Sequence, residues 1–272
     1  MGGRLAIIYD FDGTLIDGEM VDPIIRDLGL EPAAFWQRCD ATAREQRMDR
    51  VCCYMHLLLE EAKKQDRPLT LDYMHKTGAA LHLRPGLEGR DGWFDGVNEA
   101  CAQHGLRAEH YVITSGLAEI VEATPVAART ARVFGSRFFY GADGAAAWPA
   151  QVVNYTTKTQ YLFRINKNRL DERDEEAPND YMAPEDRPTP FENMVFIGDG
   201  YTDIPCFSLI KKEKGYAVAV LRDENEGAKQ GLEKLHVDGR IDLFSLTRHF
   251  EREGKLFESI QRIAAKRGKK PA

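Results

Sequence analysis

Two carboxylates stand two positions apart in the string Asp10-Phe11-Asp12-Gly13-Thr14, directly after the apolar run 5–9. An apolar run ending on acidic residues can project both side chains beyond the carboxyl end of a buried strand, where α/β sheets bind their ligands. One carboxylate can then attack as a nucleophile while its neighbour moves a proton to or from the leaving group. Gly13 permits a sharp turn that brings backbone amides toward an anion. Three other clusters suit the same chemistry. Thr114-Ser115-Gly116 closes a second strand-like run and offers a hydroxyl and a helix N-terminus to a phosphate. Lys158 opens a helical stretch after Thr156-Thr157, where a cation can neutralise a phosphoryl group and the carboxylates around it. Gly198-Asp199-Gly200-Tyr201-Thr202-Asp203 follows the run 194–197, and its two carboxylates can hold a hard divalent ion through oxygen. Each cluster alone is also an ordinary acidic turn, helix cap or surface lysine. All four in this order point to phosphoryl chemistry.

These residues need a scaffold. Runs 5–9, 110–114, 194–197 and 216–221 read as strands, and 133–155 as a hairpin turning at Asp143-Gly144. Helical stretches lie between them: Phe94, Val97 and Cys101 share one face that stops at Gly105, Leu117, Ile120 and Val121 another, and Tyr161, Leu162 and Ile165 a third. Strands separated by helices predict an α/β fold with a doubly wound, Rossmann-like parallel sheet. Residues 16–84 depart from that rhythm, with Val51, Met55, Leu58 and Leu59 at helical spacing and a closing Arg84-Pro85-Gly86 turn. The expected division is a core of residues 1–15 and 85–272 and a helical domain of residues 16–84. Phe35, Trp36 and Tyr54 in that block are assigned to packing. Residues 171–190, rich in Asp, Glu and Pro, are expected to form a surface loop, and the basic residues 266–270 a frayed end.

Composition removes other classes. With 37 basic and 43 acidic residues the net charge is −6, which draws in neither nucleic acid nor anionic lipid. No apolar run reaches the ~18 residues of a membrane helix, and the opening residues reach Asp10 too soon for a signal peptide. A cytoplasmic protein is expected. The five cysteines, Cys39, Cys52, Cys53, Cys101 and Cys206, form no C-x-x-C pair, which argues against a disulfide framework or zinc site and for small buried thiols.

The four clusters together resemble the haloacid dehalogenase-like (HAD) hydrolase superfamily, whose members mostly hydrolyse phosphomonoesters through an aspartyl-phosphate. The resemblance covers residues 1–15 and 85–250, and block 16–84 falls where that superfamily inserts a C1-type cap. It implies a Mg2+-dependent phosphatase acting on a small phosphomonoester, with no nucleic-acid or membrane partner, as a monomer or homodimer. By the same resemblance Asp10 is the nucleophile, Asp12 the general acid/base, and Thr114, Ser115, Lys158 and Gly13 hold the phosphoryl group. Asp10, Asp199, the Asp12 carbonyl and Asp203 surround the ion. Asp12 also separates the chain from the dehalogenases, which lack Asp at that position. Glu19, nine residues after Asp10, is similarly placed to a phosphoserine-phosphatase glutamate that binds an amino group. Arg44, Arg47 and Arg50 are candidates for a carboxylate, and a quaternary ammonium ester such as phosphocholine is an alternative substrate. A phosphotransferase or phosphomutase, or a non-catalytic phospho-ligand binder, are the alternative functions.

Overall fold

The first strand, β1 (Arg4–Tyr9), is fully buried from Leu5 onward and so belongs at the centre of a sheet covered on both faces. The protein was analysed as a computed structural model, which describes residues 3–222, 225–246 and 249–268. Six further described strands join β1: β2 (Arg107–Leu117), β3 (Arg132–Tyr140), β4 (Ala146–Gln151), β5 (Met194–Gly198), β6 (Tyr216–Val220) and β7 (Leu243–Ser245). Their order is β4-β3-β2-β1-β5-β6-β7, parallel except for the β3–β4 hairpin. The chain builds outward from β1 through β2 and β3, then returns to its other side at β5. That reversal is a topological switch point, and it opens a crevice at the carboxyl ends of β1 and β5.

Period-two alternation sorts side chains to the two faces. Ala6 and Ile8, with Ile113 and Phe196, face α7 (Lys158–Lys167), α8 (Ile204–Lys212) and α9 (Glu226–Val237). Leu5, Ile7 and Tyr9 face α5 (Trp93–Ala102) and α10 (Lys255–Gly268). Between β1 and α5 lie α1 (Asp22–Asp27), α2 (Pro32–Gln46), α3 (Arg50–Lys64) and α4 (Leu71–Ala79), with no described strand. The two ends of this block meet in an antiparallel bridge between Ile16 and Leu83. Its far side is held by Ala146 N–H donating to the Leu69 carbonyl at 2.8 Å. It also packs through Gly78, where a Cβ would lie 2.1 Å from the Ile120 carbonyl oxygen.

Several sequence expectations are corrected. β2 runs through Thr114, Ser115 and Gly116 to Leu117, and the short helix α6 (Ala118–Glu122) begins only afterwards. Thr114 and Ser115 therefore lie in extended backbone, not at a helix N-terminus. The described part of the basic end is helix rather than frayed chain: Lys266 and Arg267 lie over the Tyr216 ring, at 5.6 and 5.1 Å from its centroid, and Lys269 and Lys270 fall outside the described residues. Residues 171–190 lack long helix or strand, as expected, yet they are anchored. Buried Arg164 donates to the carbonyls of Asp171 (2.7 Å) and Asp174 (2.9 Å), Lys167 donates to that of Pro178 (2.7 Å), and Ala177 and Thr189 are fully buried. All five cysteines are free; Cys52 is half-buried and the other four are buried.

Candidate active site

Asp10 leaves β1 at the switch point, 4% exposed, its N–H donating to the Ile197 carbonyl of β5 at 2.9 Å. One carboxylate oxygen, Oδ1, accepts from the Phe11 N–H at 2.8 Å, and the other, Oδ2, faces Lys158 Nζ at 2.9 Å. Lys158 also reaches Asp203 Oδ1 at 2.8 Å and is 1% exposed. Burial works against its charge, but Asp10 and Asp203 outweigh that and raise its pKa above the ordinary lysine value. The lysine is aimed by the turn before α7, where Asn154 Oδ1 accepts from the N–H groups of Thr156 (3.1 Å) and Thr157 (2.9 Å).

Asp12 sits beside the nucleophile candidate, with Oδ1 accepting from the Met20 N–H at 2.7 Å. Burial, then the carboxylates of Glu19 and Asp10, push its pKa well above the usual carboxylate range. That shift favours its protonated, proton-donating form relative to a free Asp. Gly116 lets these groups approach, since a Cβ there would lie 2.9 Å from Asp12 Oδ2.

Asp10, Asp199 and Asp203 each bring a carboxylate oxygen within 4.8 Å of the others. Burial and the Asp10 charge raise Asp199 and Asp203, with Arg222 partly offsetting at Asp199 and Lys158 at Asp203. Asp203 is fully buried, and its Oδ2 has no hydrogen-bond partner. Gly13 lies next to this cluster in a different role from the expected one. Its N–H donates to the Gly18 carbonyl at 3.1 Å, and it does not line the pocket. Its φ is +66°, and a Cβ would lie 2.4 Å from Asp199 Oδ2. Glycine is needed there for close approach, not to offer an amide to a ligand.

Above this floor is a pocket between the strand ends and the helical block. Asp10, Asp12, Glu19, Thr114, Ser115, Lys158 and Asp199 line it, whereas Gly13 and Asp203 lie behind. Thr114 Oγ1 accepts from the Gly116 N–H at 2.9 Å, and the Ser115 carbonyl accepts from Tyr54 OH and Ser136 Oγ, each at 3.1 Å. Trp36 and Tyr54 do both jobs: they stack edge-on at 5.6 Å within the helical block and also line the pocket. Phe35 packs in the core, as its spacing predicts. Of the three candidate arginines only Arg50 lines the pocket; Asp40 holds its Nε at 2.6 Å.

Arg222 escaped the sequence reading. It follows β6, and its Nη1 binds Asp199 Oδ2 at 2.6 Å while Nη2 binds Glu19 Oε1. Burial disfavours its charge, but Asp199 and Glu19 outweigh that and raise its pKa. The strand-end logic that selected Asp10 and Asp199 would have found it, because residue 222 closes the fourth buried run.

A doubly wound α/β sheet with an acidic cluster at its switch point serves many protein classes, and comparison with known proteins identifies the family here. The family model of haloacid dehalogenase-like hydrolases matches residues 7–208. The chain belongs to that family. An uncharacterized protein of Borreliella burgdorferi is 21% identical over 265 residues, spanning 89% of this chain and 90% of that one. Among solved structures, a substrate-bound phosphoserine phosphatase superposes with a TM-score of 0.58 at 17% identity, covering 92% of this chain and 96% of the other. A phospho-aspartyl intermediate analogue of phosphoserine phosphatase gives 0.54 at 17% identity, covering 91% and 95%. These two share the fold. No described helix is long and apolar enough to cross a membrane.

Proposed function

We propose that the protein is a Mg2+-dependent phosphatase that hydrolyses a small phosphomonoester through an aspartyl-phosphate on Asp10. The observation that carries this reading is the pairing of two unlike carboxyl groups on the pocket floor. Asp10 is fixed by the Phe11 amide and Lys158, while burial and the neighbouring carboxylates raise the pKa of Asp12, two residues further. Carboxyls whose environments separate them in this way divide the roles of nucleophile and acid.

An Asp10 oxygen attacks phosphorus, the ester P–O bond breaks, and Asp12 gives its proton to the departing alkoxide. Asp12, now a carboxylate, takes a proton from water as the water oxygen attacks the same phosphorus. The bond to Asp10 breaks and inorganic phosphate leaves. Lys158, the Thr114 hydroxyl and the Ser115 amide hold the phosphoryl oxygens. The buried all-oxygen cluster of Asp10, Asp199 and Asp203, with the Asp203 Oδ2 unpartnered, fits a hard divalent cation. Mg2+ held there, with the Asp12 carbonyl, would screen the repulsion between an anionic nucleophile and an anionic ester. Residues 16–84 act as a cap domain over a core of residues 1–15 and 85–272, and Glu19 faces the leaving group from the cap side. Likeness to a solved phospho-aspartyl analogue supports this reading.

The test is phosphate release from a panel of small phosphomonoesters, an aryl phosphate included, with Mg2+ and with chelator. Release is expected only with Mg2+. Asp10→Asn, folded by circular dichroism, should lower it by at least about a thousandfold, since an amide cannot form the acyl phosphate. Near wild-type turnover in that variant rejects the mechanism.

A further inference from the structure

Glu19 faces the pocket, but its charge is committed. Arg222 Nη2 binds Glu19 Oε1, and Nη1 of the same guanidinium binds Asp199 Oδ2 at 2.6 Å. The arginine is well placed for this, because Arg84, only 2% exposed, donates from Nη2 to the Arg222 backbone carbonyl at 3.0 Å. Arg84 also pairs with Asp17 at 2.9 Å, two residues before Glu19. One buried guanidinium therefore braces both strands of chain that carry the Glu19–Arg222 pair. The other natural seat for a cationic group is an aromatic face. Trp36 offers one at the pocket wall, and the Arg50 guanidinium already lies over it, 4.7 Å from the ring centroid.

Resting on the phosphatase reading above, we propose that Arg222 is a specificity-determining residue that sets the pocket against ammonium-bearing leaving groups and in favour of uncharged or anionic ones. A ligand ammonium near Glu19 would meet the guanidinium that already neutralises that carboxylate. Juxtaposing like charges is how binding sites reject a wrong partner. A ligand hydroxyl has no such conflict, since it can accept from Arg222 and donate to Glu19. Arg222 on Glu19 counts against an amino-acid ester, and Arg50 over the Trp36 face counts against seating a quaternary ammonium on that ring. The substrate class is a phosphomonoester whose leaving group carries hydroxyl or carboxylate in the place of the amine.

A matched pair of esters tests this. O-phosphoserine and 3-phosphoglycerate differ by an ammonium against a hydroxyl at the same carbon. The wild-type enzyme should favour 3-phosphoglycerate in kcat/KM by about tenfold or more, the scale of one charged hydrogen bond gained or lost. Arg222→Met should move that ratio about tenfold toward O-phosphoserine, mainly through KM, and Glu19→Gln should move it the other way. The wild-type ratio needs no variant, so a misfolded Arg222→Met leaves the proposal open to refutation. A wild-type preference for O-phosphoserine, or a ratio unchanged in folded Arg222→Met, overturns it. If no ester, aryl phosphate included, releases phosphate, the phosphatase reading fails instead. Calorimetric affinities of the same two esters for the wild-type protein then decide: tighter 3-phosphoglycerate sustains the role of Arg222, and equal or reversed affinities remove it.

Discussion

Asp12 works as an acid because of where the chain puts it. Burial and the carboxylates of Glu19 and Asp10 raise its pKa and so favour the protonated form, while the Met20 amide fixes Oδ1. Protonation matters most when the leaving group is a poor one, and positioned acids are worth roughly 10²–10⁴ in rate. Asp12→Asn should therefore lose about that factor in the first chemical step with an alkyl phosphate and much less with an aryl phosphate. Rapid-mixing measurements would show a burst of phenol without steady turnover, since the second step still lacks its base. Equal loss of the first step for both esters would remove Asp12 from the acid role. At this scale the sequence was informative where a residue type is needed for its chemistry. Asp10, Asp12 and Asp199 stand out by charge at strand ends, and Lys158 at the start of a helical stretch. Gly13 was legible as a glycine the turn requires, but its reason was not: the space it leaves is filled by Asp199, 186 positions along the chain, and no local pattern encodes that approach.

Elements hold the site in place through their own networks, and one of these titrates. Beneath the sheet, Trp93 of α5 donates to Tyr9 OH of β1 at 2.7 Å, Tyr9 OH lies 3.0 Å from His110 Nδ1 of β2, and His110 Nε2 lies 3.2 Å from Asn98 Oδ1. Neutral imidazole completes this chain, with Nδ1 accepting and Nε2–H donating; a second ring proton would face a hydroxyl that already accepts from Trp93. Burial, with a smaller contribution from the Arg129 charge, lowers the His110 pKa to about 3. The unfolded chain, with a His near 6.5, binds more protons between about pH 3 and 6.5, so stability falls on acidification through that window. The loss approaches about 1.4 kcal/mol per pH unit below 6.5. Urea titrations at pH 7 and 5.5 should show the slope in wild type, and His110→Gln should flatten it while lowering stability overall. Identical slopes would sink this account. The strands themselves were legible as short apolar runs, whereas β2 was cut short because Ser115 and Gly116 read as the start of a helix. β7 has only three residues and little apolar signal. The anchoring of loop 171–190 was hidden because no sequence pattern marks Arg164 and Lys167 of α7 as buried, although both are.

At the scale of the whole molecule the site depends on segments far apart in sequence. Asp10 ends β1, Lys158 starts α7, and Asp199 and Asp203 lie between β5 and α8, with Arg222 following β6. Three carboxylates crowd within 4.8 Å, and the raised pKa values of Asp199 and Asp203 record burial and mutual repulsion, offset in part by Lys158 and Arg222. The unfolded chain disperses these groups, so a cation that they hold together binds the folded state alone. Such binding stabilises by RT ln(1 + [L]/Kd), about 2.7 kcal/mol at a hundredfold excess over Kd. For a chain of this size each kcal/mol moves the thermal midpoint by roughly 2–4 °C, which gives a rise of roughly 5–10 °C. Mg2+ should raise the midpoint by that amount, EDTA should reverse it, and Asp199→Asn should respond weakly or not at all. The readout is independent of turnover, so it tests the metal site even if the true ester is absent from every assay. A midpoint indifferent to Mg2+ across the millimolar range would mean that the acidic cluster serves folding or the Lys158 ion pairs rather than a metal.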